Sequence, residues 1–148
     1  MTPYVLLAPG GATHRPGKRW PVERFAAVAT ELAGHGVTPV LLGIGAEAPL
    51  TGRIRALSPA AIDLAGKTDL ADIAALARAA QGALGNDTGP MHLIAAAGCP
   101  TAVLFSGESD PMLCAPAGPK VAIVRREPLA ALAVEEALAA LRAVGGVS

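Results

Sequence analysis

The stretch Gln81-Gly82-Ala83-Leu84-Gly85-Asn86-Asp87-Thr88-Gly89-Pro90-Met91-His92-Leu93-Ile94-Ala95-Ala96-Ala97-Gly98-Cys99-Pro100 decides the fold class. Gln81 to Leu84 is a short, mostly apolar run of strand length, and the residues after it are a polar turn. Pro90 to Ala97 is helical in character until Gly98 and Pro100 stop it. Thr88 falls at the N-cap, and Pro90 near the first helical position, where its missing N–H costs nothing. The unpaired amides and positive dipole end of such a helix favour an anion, with phosphate the usual occupant. A well-capped connection that holds no ligand accounts for the same residues.

Working outward, strand-length apolar runs alternate with longer Ala- and Leu-rich segments of helical period, the pattern of parallel βαβ units. The runs predict strands near Tyr4 to Ala8, Thr38 to Leu42, Ala61 to Leu64, Gln81 to Leu84, Thr101 to Phe105 and Lys120 to Val124. Helices are predicted over Val22 to Gly34, Ala46 to Leu57, Leu70 to Ala80, Pro90 to Ala97 and Leu129 to Val144. In the first, Phe25, Val28, Ala29 and Leu32 share one face. The expected fold is α/β: a three-layer Rossmann-like domain with a parallel sheet of about six strands, covered on both faces. Only the tail, Gly145-Gly146-Val147-Ser148, is expected to fray.

A chain of 148 residues fits one domain, able to bury roughly 68–70% of its unfolded surface, and leaves no room for a second catalytic one. Twelve Lys plus Arg balance twelve Asp plus Glu, so no global field attracts nucleic acid or an anionic membrane, and anion recognition must be local. Gly or Pro interrupts each apolar run before membrane-spanning length. Met1-Thr2-Pro3-Tyr4 opens no secretory signal, which makes a cytoplasmic location the expectation. Cys99 and Cys114 form no C-x-x-C pair and are read as reduced, partly buried thiols.

Ligands of parallel α/β sheets bind beyond the carboxyl ends of the strands, so function is sought in the loops that leave them. The first, Pro9 to Pro21, is long, glycine-rich and basic. Its glycines allow close backbone approach to a phosphate, while Thr13, Arg15, Lys18 and Arg19 supply donors and charge. It matches neither the dinucleotide fingerprint nor the P-loop. The second, Gly43-Ile44-Gly45-Ala46-Glu47, offers Glu47 either as the acceptor for ribose hydroxyls or as an acid in the first turn of a helix. In the third, Asp87 can bond amides of its own turn or point at a ligand hydroxyl. Trp20 reads as an anchor packing the first loop against the first helix.

Three segments carry a family resemblance: Pro9-Gly10-Gly11-Ala12 followed by Lys18-Arg19-Trp20-Pro21, then Asp63-Leu64-Ala65-Gly66-Lys67-Thr68, then Gly85 to His92. In this order they resemble the carboxyl-terminal, nucleotide-binding domain of family 9 glycosyltransferases, the heptosyltransferases of lipopolysaccharide inner-core synthesis. Leu104 to Pro111 resembles the family's next strand and loop, although Phe105-Ser106-Gly107 stands where the family often has Phe-Gly.

The resemblance implies one half of a GT-B enzyme, with residues 1–148 as the nucleotide-sugar domain and the acceptor and catalytic base on an amino-terminal domain that is absent here. It implies a nucleotide-sugar donor, ADP-heptose first, a lipid-linked saccharide acceptor, no cofactor, no metal, and peripheral attachment at the inner membrane through the missing domain. It casts Lys18 and Asp87 as catalytic: Lys18 on the departing diphosphate with Thr13 beside it, Asp87 near the phosphate-sugar end. Glu47 holds the ribose, and the amides of Thr88, Gly89, Met91 and His92 hold the diphosphate. His92 lies over that diphosphate, or else packs to close the turn. Two alternatives stay open: a stand-alone nucleotide or nucleotide-sugar binding module, and half of a GT-B nucleotide-sugar epimerase.

Overall fold

The computed structural model describes residues 2–11, 19–106 and 120–147. Six strands, β1 (Tyr4–Ala8), β2 (Thr38–Leu41), β3 (Ile62–Asp63), β4 (Gly82–Asn86), β5 (Thr101–Ser106) and β6 (Val121–Arg126), form one sheet in the order β3-β2-β1-β4-β5-β6. Every neighbouring pair is parallel. This is the doubly wound Rossmann order, whose direction of winding reverses between β1 and β4. Ala8 pairs with Gly85, so those two strands end level with each other.

The helices are α1 (Val22–Gly34), α2 (Ala48–Leu57), α3 (Leu70–Ala79), α4 (Gly89–Ala96) and α5 (Val134–Ala143). Strand alternation sorts the core into two layers. Val5, Leu7, Leu41, Leu84 and Leu104 point to one face and pack with Phe25, Val28 and Leu32 of α1, Ile54 of α2 and Leu138 and Leu141 of α5. Leu6, Val40, Ala83, Val103 and Phe105 point to the other and pack with Ile73 of α3 and Met91 and Ile94 of α4. Each fully buried Leu, Ile or Phe stabilises the fold by about 1.5–3 kcal/mol over its exposed state. Coverage thins at the sheet edges, where Ile62 of β3 and Ile123 of β6 are exposed.

The sequence periodicity misplaces several ends. The second helix starts as a 3-10 turn, Gly45–Glu47, before α2 begins. The expected helix from Leu129 to Val144 is two pieces, a 3-10 turn at Leu129–Ala131 and then α5, with Leu132 and Ala133 extended between them. Tertiary demand breaks it. The Leu132 carbonyl accepts the buried Trp20 indole N–H at 3.1 Å and is also bonded by the Arg24 guanidinium, which a carbonyl inside a helix could not do for both. Glu136, read from sequence as part of a solvated face, is 41% exposed there, and it also accepts the Ala133 amide at 3.1 Å and pairs with Arg126.

The tail is docked rather than frayed through Val147. Gly146 donates to the Leu141 carbonyl at 2.8 Å, and a Cβ on Gly82 would come within 2.6 Å of the Gly146 Cα. Two glycines thus let the chain end cross closely over the start of β4.

Candidate functional site

The site forms where β1 and β4 end side by side, at the point where the winding reverses. A cleft of about 300 Å³ opens there, lined by residues of the loops after β1, β2 and β4: Gly10 and Gly11, Gly43, Ile44 and Glu47, and Asp87, Thr88 and Gly89 among them. A cleft of similar size, about 310 Å³, lies at the opposite ends of the strands between His35, Gln81 and Arg142, and faces away from all three loops.

The third loop is built around Thr88. Its backbone is extended, φ −143° and ψ 163°, its hydroxyl accepts the Met91 amide at 3.5 Å, and its carbonyl accepts the His92 amide at 3.3 Å. This is an N-cap of the expected kind, with Pro90 in the first turn of α4. Of the residues expected to form the cradle, Thr88 and Gly89 line the cleft, while the Met91 and His92 amides turn to Thr88. Met91 lies beneath the site. Its side chain is fully buried, and a Cβ on Gly85 would meet its sulfur at 2.7 Å.

Asp87 lines the cleft with its side chain 21% exposed, and its amide donates to the Leu104 carbonyl at 3.2 Å. Its Oδ1 stands 3.4 Å from Nε2 of His92, whose side chain is 46% exposed.

Glu47 has more than either expected role. Its Oε1 accepts the Ile44 amide at 3.0 Å within its own turn, and its Oε2 accepts the Gly11 amide at 2.9 Å from the first loop. Glycines leave the room it fills, since a Cβ on Gly10 would stand 1.9 Å from Oε2 and one on Gly43 2.9 Å from Oε1, and either would push the carboxylate aside. A carboxylate offers about four lone-pair positions, so the two amides leave acceptor capacity directed at the cleft.

Lys18 and Thr13 lie outside the described residues, between Gly11 and Arg19. Both ends of that segment are held. Arg19 Nη2 donates to the Gly11 carbonyl at 3.2 Å, and Trp20 is fully buried, edge-on to Phe25 with ring centroids 5.1 Å apart, which is the anchoring its sequence context predicts. Asn86 is a residue that sequence reading overlooked. It is completely buried at the end of β4, its Oδ1 accepting the Trp20 amide at 3.0 Å and its Nδ2 donating to the Pro9 and Gly10 carbonyls at 2.9 and 3.1 Å. The available signal was its type, a carboxamide with donors and acceptor together, at the last place of an apolar strand. Among the described residues no three His, Cys, Asp or Glu side chains gather as a metal site.

A cleft at the β1/β4 reversal, walled by a capped helix start and a glycine-bracketed glutamate, accompanies a family match: glycosyltransferase family 9 (heptosyltransferase) over residues 1–140. The chain belongs to that family. It is 32% identical over 128 residues to lipooligosaccharide heptosyltransferase 2 of Haemophilus influenzae, covering 83% of this chain and 36% of that one. The structure of Escherichia coli ADP-heptose lps heptosyltransferase II superposes with a TM-score of 0.87 at 27% identity, over 97% of this chain and 46% of that one. An E. coli heptosyltransferase, WaaC, solved with ADP shares the fold at a TM-score of 0.84 and 24% identity, over 97% of this chain and 44% of that one. This family 9 chain therefore spans just over a third of the length of the curated relative it matches.

Proposed function

We propose that this chain is the donor-binding domain of an inverting glycosyltransferase of lipopolysaccharide core synthesis, and that it holds a nucleotide sugar, ADP-heptose first among the candidates. The observation that carries this reading is the meeting, at one end of β1 and β4, of the α4 amino terminus, the neck of a basic loop and the Glu47 carboxylate. A diphosphate fits the helix start, where first-turn amides and the dipole favour anions. Ribose hydroxyls fit the remaining acceptor positions of Glu47. The preference for adenine follows the family resemblance and the E. coli structure named as an ADP-heptose heptosyltransferase.

In the transfer, an acceptor hydroxyl oxygen attacks the anomeric carbon, its proton passes to a base, and the bond from that carbon to the diphosphate oxygen breaks with inversion. This chain serves the leaving group. The Gly89 end of α4 and Lys18 neutralise the charge that develops on the departing diphosphate, and Asp87 with His92 stands at its sugar end. Each preorganised donor of this kind contributes about 2.7–4 kcal/mol to transition-state stabilisation. As the family resemblance implies, the base, the lipid-linked acceptor and the attachment at the inner membrane fall in this reading to an amino-terminal domain. Among the described residues no helix is long and apolar enough to cross a membrane.

Calorimetric titration of the 148-residue chain with ADP, UDP and GDP tests the reading. ADP should bind in preference and no sugar transfer should occur; absence of heat with all of them at millimolar concentration would sink it. Lys18→Ala should weaken ADP more than adenosine, and equal weakening would remove Lys18 from the diphosphate.

A further inference from the structure

We propose that Asn86 is a positioning residue for donor binding, clamping the outgoing and returning ends of the loop after β1 so that Gly10 and Gly11 line the cleft beside Thr88 and Gly89 at the α4 amino terminus. The proposal rests on the donor-site reading above and adds a residue that never touches the donor.

The geometry closes a ring. The peptide joining Gly10 to Gly11 is held on both of its polar groups, its carbonyl by Asn86 Nδ2 at 3.1 Å and its N–H by Glu47 Oε2 at 2.9 Å. The chain leaves at Gly11 and returns at Arg19, which reaches across to the Gly11 carbonyl at 3.2 Å. One residue later the Trp20 amide lands on Asn86 Oδ1 at 3.0 Å. Asn86 therefore bonds the outgoing and the returning strand of the loop with opposite ends of one carboxamide. It is completely buried, so none of these bonds is exchanged with water without cost.

Only a carboxamide of this length satisfies the arrangement. Aspartate keeps an acceptor for Trp20 but sets a second oxygen against the Pro9 and Gly10 carbonyls, where donors are needed. The next residue, Asp87, lines the cleft, so the same short segment fixes both the loop and the wall it faces. Because Asn86 acts through Gly10 and Gly11, which line the cleft beside the α4 amino terminus proposed to hold the diphosphate, its loss should be felt on the phosphates and not on the nucleoside.

Asn86→Asp tests this, with emission from Trp20, the sole tryptophan, and the melting transition reporting that the fold is kept. ADP affinity should fall by about tenfold, the cost of an unsatisfied buried polar group, while adenosine affinity changes by less than about twofold. Equal loss for both ligands, or no loss for either, overturns the proposal. Amide hydrogen exchange on the unaltered chain gives a second test that survives misfolding of the variant. The Trp20 amide should exchange as slowly as those of β4, and free exchange overturns the clamp. An unaltered chain that binds no ADP would instead overturn the donor-site reading, with Trp20 exchange still deciding the clamp.

Discussion

Gly10 faces the Glu47 carboxylate so closely that a Cβ added to it would lie 1.9 Å from Oε2. The missing side chain makes room for a charge-assisted bond between loops that leave neighbouring strands. Gly10→Ala should expel the carboxylate and release both the Gly11 and Ile44 amides. Hydrogen bonds to a charged group contribute about 1.5–3 kcal/mol each, of which the Gly11 bond should dominate because the Ile44 amide is solvent-exposed. Chemical denaturation should show a loss in that range, and ADP binding should weaken with it. A variant as stable as the parent would mean that Glu47 finds the same partners without the glycine.

Trp20 ties the first loop to the far side of the domain, its indole N–H meeting the Leu132 carbonyl at 3.1 Å. Trp20→Phe keeps most of the buried ring but removes that donor. Arg24 still bonds the same carbonyl, so the loss should stay near about 1 kcal/mol, the net value of one such bond, with a smaller addition for the lost ring volume. Trp20→Ala should cost about 3–5 kcal/mol, as large-to-small core changes do. Urea melts of the two variants separate the hydrogen bond from the packing, and equal losses would show that packing alone anchors the loop.

The alternation of strand and helix, the start of α1 and the N-cap at Thr88 were legible because each rests on local chemistry: period, a capping hydroxyl and a proline at the first turn. Glu47 was legible as a carboxylate near the site, but not as a clamp, since its partner Gly11 lies 36 residues away. Asn86 was hidden for the same reason, its partners being 66 to 77 residues distant. The false continuity of the last helix from Leu129 arose because apolar period persists through Leu132 and Ala133, while the demand that turns the Leu132 carbonyl outward comes from Trp20, 112 residues earlier. Local signals place elements; the bonds that assemble the cleft are long-range.

Thr88 caps α4 and lines the cleft at once. Thr88→Ala should therefore cost about 0.5–2 kcal/mol of stability and weaken ADP, whereas Thr88→Ser, which keeps the capping oxygen, should restore most of both. If serine rescues stability but leaves ADP weak, the threonine methyl, which lies 3.5 Å from a Cβ built on Gly11, shapes the wall of the site rather than merely capping the helix.

Cys99 sits at the end of α4 against the second core layer, 2% exposed. Burial pushes its thiol up to about 11 from 9.0, with the side chain of Thr101 acting in the opposite direction. A buried neutral thiol should resist alkylation. In a Cys114→Ser background, iodoacetamide at about pH 8 should label the folded chain at least about a hundredfold more slowly than the denatured one, because both thiolate fraction and access are reduced. The same shift sets the sign of a pH effect. The folded state keeps its proton where the unfolded state releases it, so stability should fall as pH rises through the window from 9.0 to about 11 and be unaffected below it. Tyr4 is raised as well, by burial and then by the charge of Cys99, and its slope overlaps this window. Cys99→Ala compared with the parent in a Tyr4→Phe background isolates the thiol. Rapid labelling of the folded chain near pH 8, or an alkaline slope that survives Cys99→Ala unchanged, would show that the thiol is not held neutral by the core.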